Sequence, residues 1–131
     1  MEKKNTYFVD IDGTIFVYRK FETYLETEAQ VIKSSKQFLQ QKKDEGHCIV
    51  LTTARPNYLR LHTEYELQVN GIPYDQLVMG IERGPRYLIN DLSPDEPGDR
   101  AIAINLQRDK GIWNIQCLSA AGNHGIKDTD G

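Results

Sequence analysis

Short apolar runs alternate with longer segments of helical spacing along most of this 131-residue chain. The clearest runs, each followed by small or polar residues, are residues 7–9, 48–51, 77–79 and 87–89, and residues 101–106 form a weaker fifth. Because strands that alternate with helices build parallel sheets through crossover connections, the pattern predicts an α/β fold. We expect a Rossmann-like, three-layer α/β/α arrangement around a central, mostly parallel sheet.

The segments between the predicted strands carry the periodicity of helices. The first helix is expected to open at Thr27 and to stop at Gly46. The second is expected to begin at residues 56–57, where a proline breaks the preceding strand. Residues 15–21 are aromatic and β-branched, and they predict a short hairpin or flap after the first strand.

Composition and charge are those of an ordinary globular protein, with 39% hydrophobic residues, 27% charged residues and a net charge of −3. We expect one domain over residues 1–119 and a frayed tail over residues 120–131. No basic run indicates a nucleic-acid partner, and no apolar stretch is long enough for a membrane span. Cys48 and Cys117 lack the spacing of a metal site. Reduced thiols and a cytoplasmic location are therefore expected.

Oxygen-bearing side chains follow three of the predicted strands. Asp10, Thr53 and Asp91 each stand at a strand's carboxyl end, the edge at which open parallel sheets bind ligands. Asp12 and Gly13 come directly after the first strand, and glycine lets the chain curl so that backbone N–H groups can face an anion. Oxygen ligands without His or Cys favour Mg²⁺ over softer metals.

These residues resemble three motifs of the haloacid dehalogenase (HAD) superfamily. Residues 10–14 read Asp-Ile-Asp-Gly-Thr, which is similar to the family's first motif at the end of its first strand. Thr53 is similar to the second motif, a Ser or Thr that ends the next strand. Residues 90–95, Asn-Asp-Leu-Ser-Pro-Asp, resemble the acidic fourth motif. The resemblance covers roughly residues 6–106, with the motifs in the family's order.

The resemblance implies a phosphatase mechanism. Asp10 would be the nucleophile that forms an aspartyl-phosphate, and Asp12 the general acid and then the general base. Thr53, together with Gly13 and Thr14, would bind the phosphoryl group.

The resemblance also implies a magnesium cofactor. Mg²⁺ would be held by Asp10, the backbone carbonyl of Asp12 and Asp91. Family members that act on carbon–halogen bonds lack the second acid of the first motif, so Asp12 favours phosphoryl chemistry.

The lysine of the family's third motif is missing, since no Lys lies between Lys43 and Lys110. Arg83 or Arg86 would have to replace it. Arg83 is favoured because it follows the third predicted strand directly, whereas a strand of roughly 17 Å would separate Arg86 from Asp91. Two further roles stay open. Arg55 would contact substrate or form a surface salt bridge, and Asp95 would be a partner of the metal site or a loop residue.

The short connections leave no room for a cap domain, which implies an open site. Such a site suits a large substrate, or one that a second copy of the chain closes over. Short chains of this kind resemble phosphatases of bacterial surface-sugar pathways, so the expected substrate is a small phosphorylated metabolite such as a sugar phosphate. The alternatives are a nucleotide or nucleic-acid-end phosphatase and a non-catalytic HAD-like binding or regulatory module.

Overall fold

The structure, a computed structural model, describes residues 4–113 and places a three-stranded parallel sheet at their centre. The strands are β1 (Thr6–Asp10), β2 (Cys48–Thr53) and β3 (Gln76–Met79), paired in the order β1-β2-β3. This arrangement confirms three of the predicted strands and the Rossmann-like α/β fold class. The predicted tail at residues 120–131 lies outside the described residues.

Two helices make the crossovers between the strands: α1 (Lys33–Asp44) and α2 (Arg60–Val69), the latter preceded by a 3₁₀ turn at Asn57–Leu59. The predicted start of the first helix at Thr27 is wrong. Residues 30–32 are extended instead, because Val31 pairs with Phe16 and the Ile32 N–H donates to the Ile15 carbonyl at 2.7 Å. Neither helix of the described chain is long and apolar enough to cross a lipid bilayer.

Both helices pack on the same face of the sheet. Their buried side chains share one cluster with the inward residues of all three strands, among them Val9, Leu51 and Leu77. On the opposite face Phe8 is 56% exposed and Val78 is 40% exposed. Residues 4–113 therefore form the sheet and one helical layer, and the second layer of the expected three is not among them.

Two predicted strands are wrong. Residues 87–89 and 101–106 form no strand in the structure, and they find no partner strand among residues 4–113. Tyr87 and Ile89 are 84% and 88% exposed, so the apolar character that predicted burial has no packing surface there. An apolar run alone specifies neither a neighbouring strand nor a register.

The predicted flap is a loop that is longer than expected and extends to residue 30. Ile15 and Phe16 are fully buried beneath it. The Val17 N–H donates to the Gln30 carbonyl at 2.8 Å and closes the base of the loop. We call residues 17–30 the flap loop. A 3₁₀ turn at Phe21–Thr23 lies within it.

A return segment, residues 106–112, brings the chain back against the loop that follows β1. The Asp109 N–H donates to the Gly13 carbonyl at 2.8 Å, and the Asp109 carboxylate accepts from the Tyr18 N–H at 2.7 Å. Ile112 is buried in the core, and its N–H donates to the Ser35 hydroxyl at 3.2 Å. These contacts hold the neighbouring Arg108 beside the carboxyl end of the sheet.

Candidate active site

The carboxyl ends of β1 and β2 open into a depression of about 160 Å³. Asp10 and Thr53 come to it from the ends of adjacent strands, and Asp12 comes from the turn after β1. The remaining lining is aromatic or cationic apart from one alanine: Tyr18, Tyr24, Ala54, Arg55, Arg83, Arg86 and Arg108. An acidic pair thus faces four guanidinium groups across one small space.

Asp10 is the more accessible of the two acids, with 46% of its side chain exposed. Burial of the remainder raises the pKa of Asp10 to about 6, against the lowering effect of Arg86, whose Nη2 lies 3.9 Å from Oδ1. The charge of Asp12 raises this pKa further, and a hydrogen bond from the Ile11 backbone lowers it. At neutral pH the group is therefore predominantly a carboxylate, and it lines the depression.

Asp12 is held in one orientation by two neighbours. Arg55 donates from Nε to Oδ2 at 2.9 Å and from Nη2 to Oδ1 at 2.8 Å, which is the bidentate geometry of a guanidinium on a carboxylate. The Tyr24 hydroxyl donates to Oδ2 at 3.1 Å. Burial and the adjacent Asp12 carboxylate raise the pKa of Tyr24 to about 12, so the phenol keeps its proton throughout the neutral range.

Arg55 is the centre of a buried polar network. It is 1% exposed and also donates from Nη1 to Glu66 at 2.8 Å and to the Thr63 hydroxyl at 3.0 Å. The Tyr24 ring lies 4.2 Å from its Cζ. Arg19 adds a second guanidinium on Glu66 at 3.0 Å. This burial excludes the surface salt bridge considered for Arg55, whose guanidinium instead connects α2 to the acid pair.

The pH dependence of stability should report on Glu66. Burial would raise the pKa of Glu66, but the hydrogen bonds and charges of Arg19 and Arg55 outweigh it and hold this pKa below its usual 4.5. The stabilisation is complete above pH 4.5 and is lost as the pH falls through the lower folded-state pKa. We expect E66Q to lower stability by about 1–3 kcal/mol at pH 7, with the gap closing in acid.

Thermal melts of the parent and E66Q across this pH range measure the effect. The matched control is E64Q, since Glu64 is 42% exposed and pairs with Arg60 at 3.4 Å. A difference in Tm between the parent and E66Q that stays constant down to pH 3 would show that the charge of Glu66 contributes nothing to stability.

The residues expected to bind phosphate are already engaged in local hydrogen bonds. Thr53 is only 2% exposed, and its hydroxyl accepts a hydrogen bond from the Arg55 backbone N–H at 3.1 Å. The Gly13 N–H donates to the Phe16 carbonyl at 2.7 Å, and the Thr14 N–H donates to the Ile11 carbonyl at 3.2 Å. These bonds shape the loop after β1, in which Gly13 adopts a positive φ of 91°.

Both candidate arginines for the missing lysine line the depression. Arg86 is the one that pairs with Asp10, whereas Arg83 lies over the Phe21 ring with Cζ 5.3 Å from the centroid. The spacing argument against Arg86 is wrong, because residues 87–91 form no strand that would carry Arg86 away from the site. The two residues therefore contact different sides of the same space.

The residues expected to hold magnesium are only partly together. Asp10 and Asp12 share the depression, but Asp91 lies outside its lining, 79% exposed and 3.8 Å from Arg100. Asp95 is in an exposed loop, where its N–H donates to the Ser93 hydroxyl. Within residues 4–113 no three His, Cys, Asp or Glu side chains are placed to share a metal. The oxygens in place fit Mg²⁺ in part, since this ion commonly takes one or two carboxylates and fills its shell with waters and phosphate oxygens.

Sequence reasoning missed Arg108 and Glu66. Arg108 also lines an adjoining depression of about 180 Å³ together with Leu106 and the loop after β1. No motif in the sequence marks Arg108; in the structure it precedes a turn in which Asp109 has a positive φ of 67°. Thr63 and Glu66 are three residues apart on α2 and so share a helix face, a spacing that could have suggested a partner for Arg55.

Comparison with known proteins supports the fold. No family model and no curated protein matches the sequence. The chain is similar in structure to part of a chain in the Pnkp1/Rnl/Hen1 RNA repair complex, with a TM-score of 0.54 and 23% identity in each of two structures. The match covers 63% of this chain but only 30% and 28% of the other. A Vibrio cholerae structural-genomics target matches with a TM-score of 0.49, 16% identity and coverage of 70% and 85%.

Proposed function

We propose that this chain is a phosphomonoesterase that uses the Asp10 carboxylate as its nucleophile and acts on a small phosphorylated metabolite. The observation that carries the proposal is the placement of Asp10: a half-exposed carboxylate at the end of β1, beside a second, oriented acid and facing several guanidinium groups. Guanidinium forks match phosphoryl oxygens in geometry and charge. A site that contained solvated loop acids alone would not need Arg55 and Tyr24 to fix Asp12.

The reaction proceeds in two half-steps. An oxygen of Asp10 attacks phosphorus, the ester bond to the leaving group breaks, and Asp12 gives a proton to the leaving oxygen. Water then attacks the aspartyl-phosphate, Asp12 takes a proton from that water, and inorganic phosphate leaves with the Asp10 carboxylate restored. Arg55 and Tyr24 donate to both Asp12 oxygens and fix the orientation of this side chain. The proton that Asp12 takes from water in the second half-step is the one it gives to the leaving oxygen in the next turnover.

Charge near the nucleophile is supplied by Arg86 and by the proposed cofactor. Arg86 takes the role of the missing lysine, because its guanidinium forms the ion pair with Asp10. Mg²⁺ would be held by the Asp10 carboxylate and the Asp12 backbone carbonyl. Waters and phosphate oxygens would supply its other ligands, because Asp91 lies outside the depression. When bound, the ion would supply positive charge that offsets the negative charge of the nucleophile and the phosphoryl group. The motif resemblance to HAD phosphatases supports the same assignment.

Phosphate release from a generic aryl phosphate tests the proposal. We expect turnover with Mg²⁺, arrest by EDTA and recovery on addition of excess Mg²⁺. In the same assay R86A should lower kcat/KM by about 10- to 100-fold, since it removes a charge-assisted contact to the phosphoryl group. Absence of phosphate release with Mg²⁺ from both the aryl phosphate and a panel of phosphorylated metabolites would favour the non-catalytic alternative.

A further inference from the structure

Four guanidinium groups line the depression, and within residues 4–113 only two of them have a carboxylate partner. Arg55 pairs with Asp12 at 2.8 Å and Arg86 pairs with Asp10 at 3.9 Å. Arg83 and Arg108 have no carboxylate within 4.0 Å among the residues the structure describes. Among residues 4–113 these two guanidiniums therefore lack a direct ion-pair partner, although the charge of Arg108 helps to lower the pKa of Asp10.

The two unpaired guanidiniums rest on aromatic rings of the flap loop. The Cζ of Arg108 lies 3.8 Å from the centroid of the Tyr18 ring, and the Cζ of Arg83 lies 5.3 Å from that of Phe21. A guanidinium stacked on a ring keeps the N–H groups at its edge available for an anion. The rings of the flap loop thus support two guanidinium groups that line the depression.

Arg108 is held in this position by the return segment. A Cβ on Gly13 would lie 3.3 Å from the Arg108 Cγ, so the stem of the arginine packs directly over the glycine. Its neighbour Asp109 accepts from the Tyr18 N–H at 2.7 Å, which ties the return segment to the ring beneath the guanidinium. The side chain therefore loses little further freedom when it binds a ligand.

The guanidinium groups of the depression outnumber those needed to bind one phosphoryl group. A single phosphoryl group at Asp10 engages Arg86, and a neutral leaving group would give Arg83 and Arg108 no anionic group to bind. We propose that the flap loop forms a second anion subsite, and that the substrate is a bisphosphorylated small molecule whose retained phosphate binds Arg83 and Arg108. Two guanidiniums match the double charge of a phosphate better than the single charge of a carboxylate. This inference deepens the proposed function and rests on it for the identity of the phosphate that is removed.

Binding to an inactive variant tests the subsite independently of turnover. With D10N, titration calorimetry should show fructose bisphosphate binding about 10- to 100-fold tighter than fructose monophosphate, the range expected for charge-assisted hydrogen bonds. The double substitution R83Q/R108Q on the same background should bring this ratio close to one. K20Q is the matched control, because Lys20 is an exposed cation of the same loop outside the depression, and it should preserve the ratio.

The outcomes separate the two claims. Equal affinities for the two sugars in D10N, or a preference that survives R83Q/R108Q, would overturn the subsite. Tighter binding of phosphoglycerate than of fructose bisphosphate would overturn the assignment of a second phosphoryl group in favour of a carboxylate. If the binding preference is found but the unsubstituted protein releases no phosphate from either sugar or from an aryl phosphate, the subsite stands and the phosphatase proposal fails.

Discussion

D10N is expected to lower kcat for phosphate release by about four orders of magnitude or more, the scale seen when a catalytic nucleophile is removed. The amide is nearly isosteric with the carboxylate but cannot form an acyl phosphate. Asp10 is half exposed, and the one ion pair it forms within residues 4–113, with Arg86, is long at 3.9 Å, so the fold should survive the change. Phosphate release and a thermal melt, measured on the same preparation, give both results.

The control for this substitution is D44N. Asp44 ends α1 on the surface, where it accepts a hydrogen bond from Gln40 at 2.9 Å, and it is remote from the lining of the depression. It undergoes the same chemical change and should keep full activity. Retention of more than a few per cent of the parent kcat by D10N would remove Asp10 from the nucleophile role, whatever the melts show.

R55M is expected to have the largest effect on stability. It leaves Asp12 and Glu66, with side chains 11% and 6% exposed, without their shared guanidinium. Breaking a buried ion pair by removing one partner costs about 3–5 kcal/mol, because the remaining charge stays desolvated. For a domain of this size, that corresponds to a fall in Tm of roughly 10–20 °C.

Two further variants show whether the loss arises from the network. R100M removes an exposed arginine whose side chain is 49% accessible, and it should change stability by less than about 0.5 kcal/mol. Adding E66Q to R55M should cost less than the sum of the two single losses, because both substitutions remove the same Arg55–Glu66 contact. Equal Tm values for R55M and R100M would mean that the network contributes little to stability.

The central strands were predictable because burial on a parallel sheet leaves a continuous apolar signature. β1, β2 and β3 were found in this way, and the parallel pairing then brings Asp10 and Thr53 to one edge. The same signal failed at residues 87–89, where an apolar run lies exposed. Hydrophobicity identifies a segment that can be buried, but the partner that buries it is a property of the rest of the chain.

The polar network could not be read from local pattern, because its members are distant in sequence. Arg55 reaches Asp12 across 43 residues, and the Tyr18 N–H reaches the Asp109 carboxylate across 91. Glu66 looks like one more charged residue on a surface helix until the fold buries it against two arginines. The helix predicted to start at Thr27 failed for a related reason, since pairing between residues 15–17 and 30–32 overrides local helical preference.

Detection of the covalent intermediate on Asp10 tests the central claim most directly. The unsubstituted protein is mixed with an aryl phosphate and Mg²⁺, quenched in acid during turnover, reduced with borohydride and digested for peptide mass spectrometry. Reduction of an aspartyl-phosphate converts the residue to homoserine, and we expect that conversion at residue 10, with none in a sample lacking substrate. Active turnover with residue 10 recovered only as unmodified aspartate, or conversion at Asp12 instead, would contradict the account.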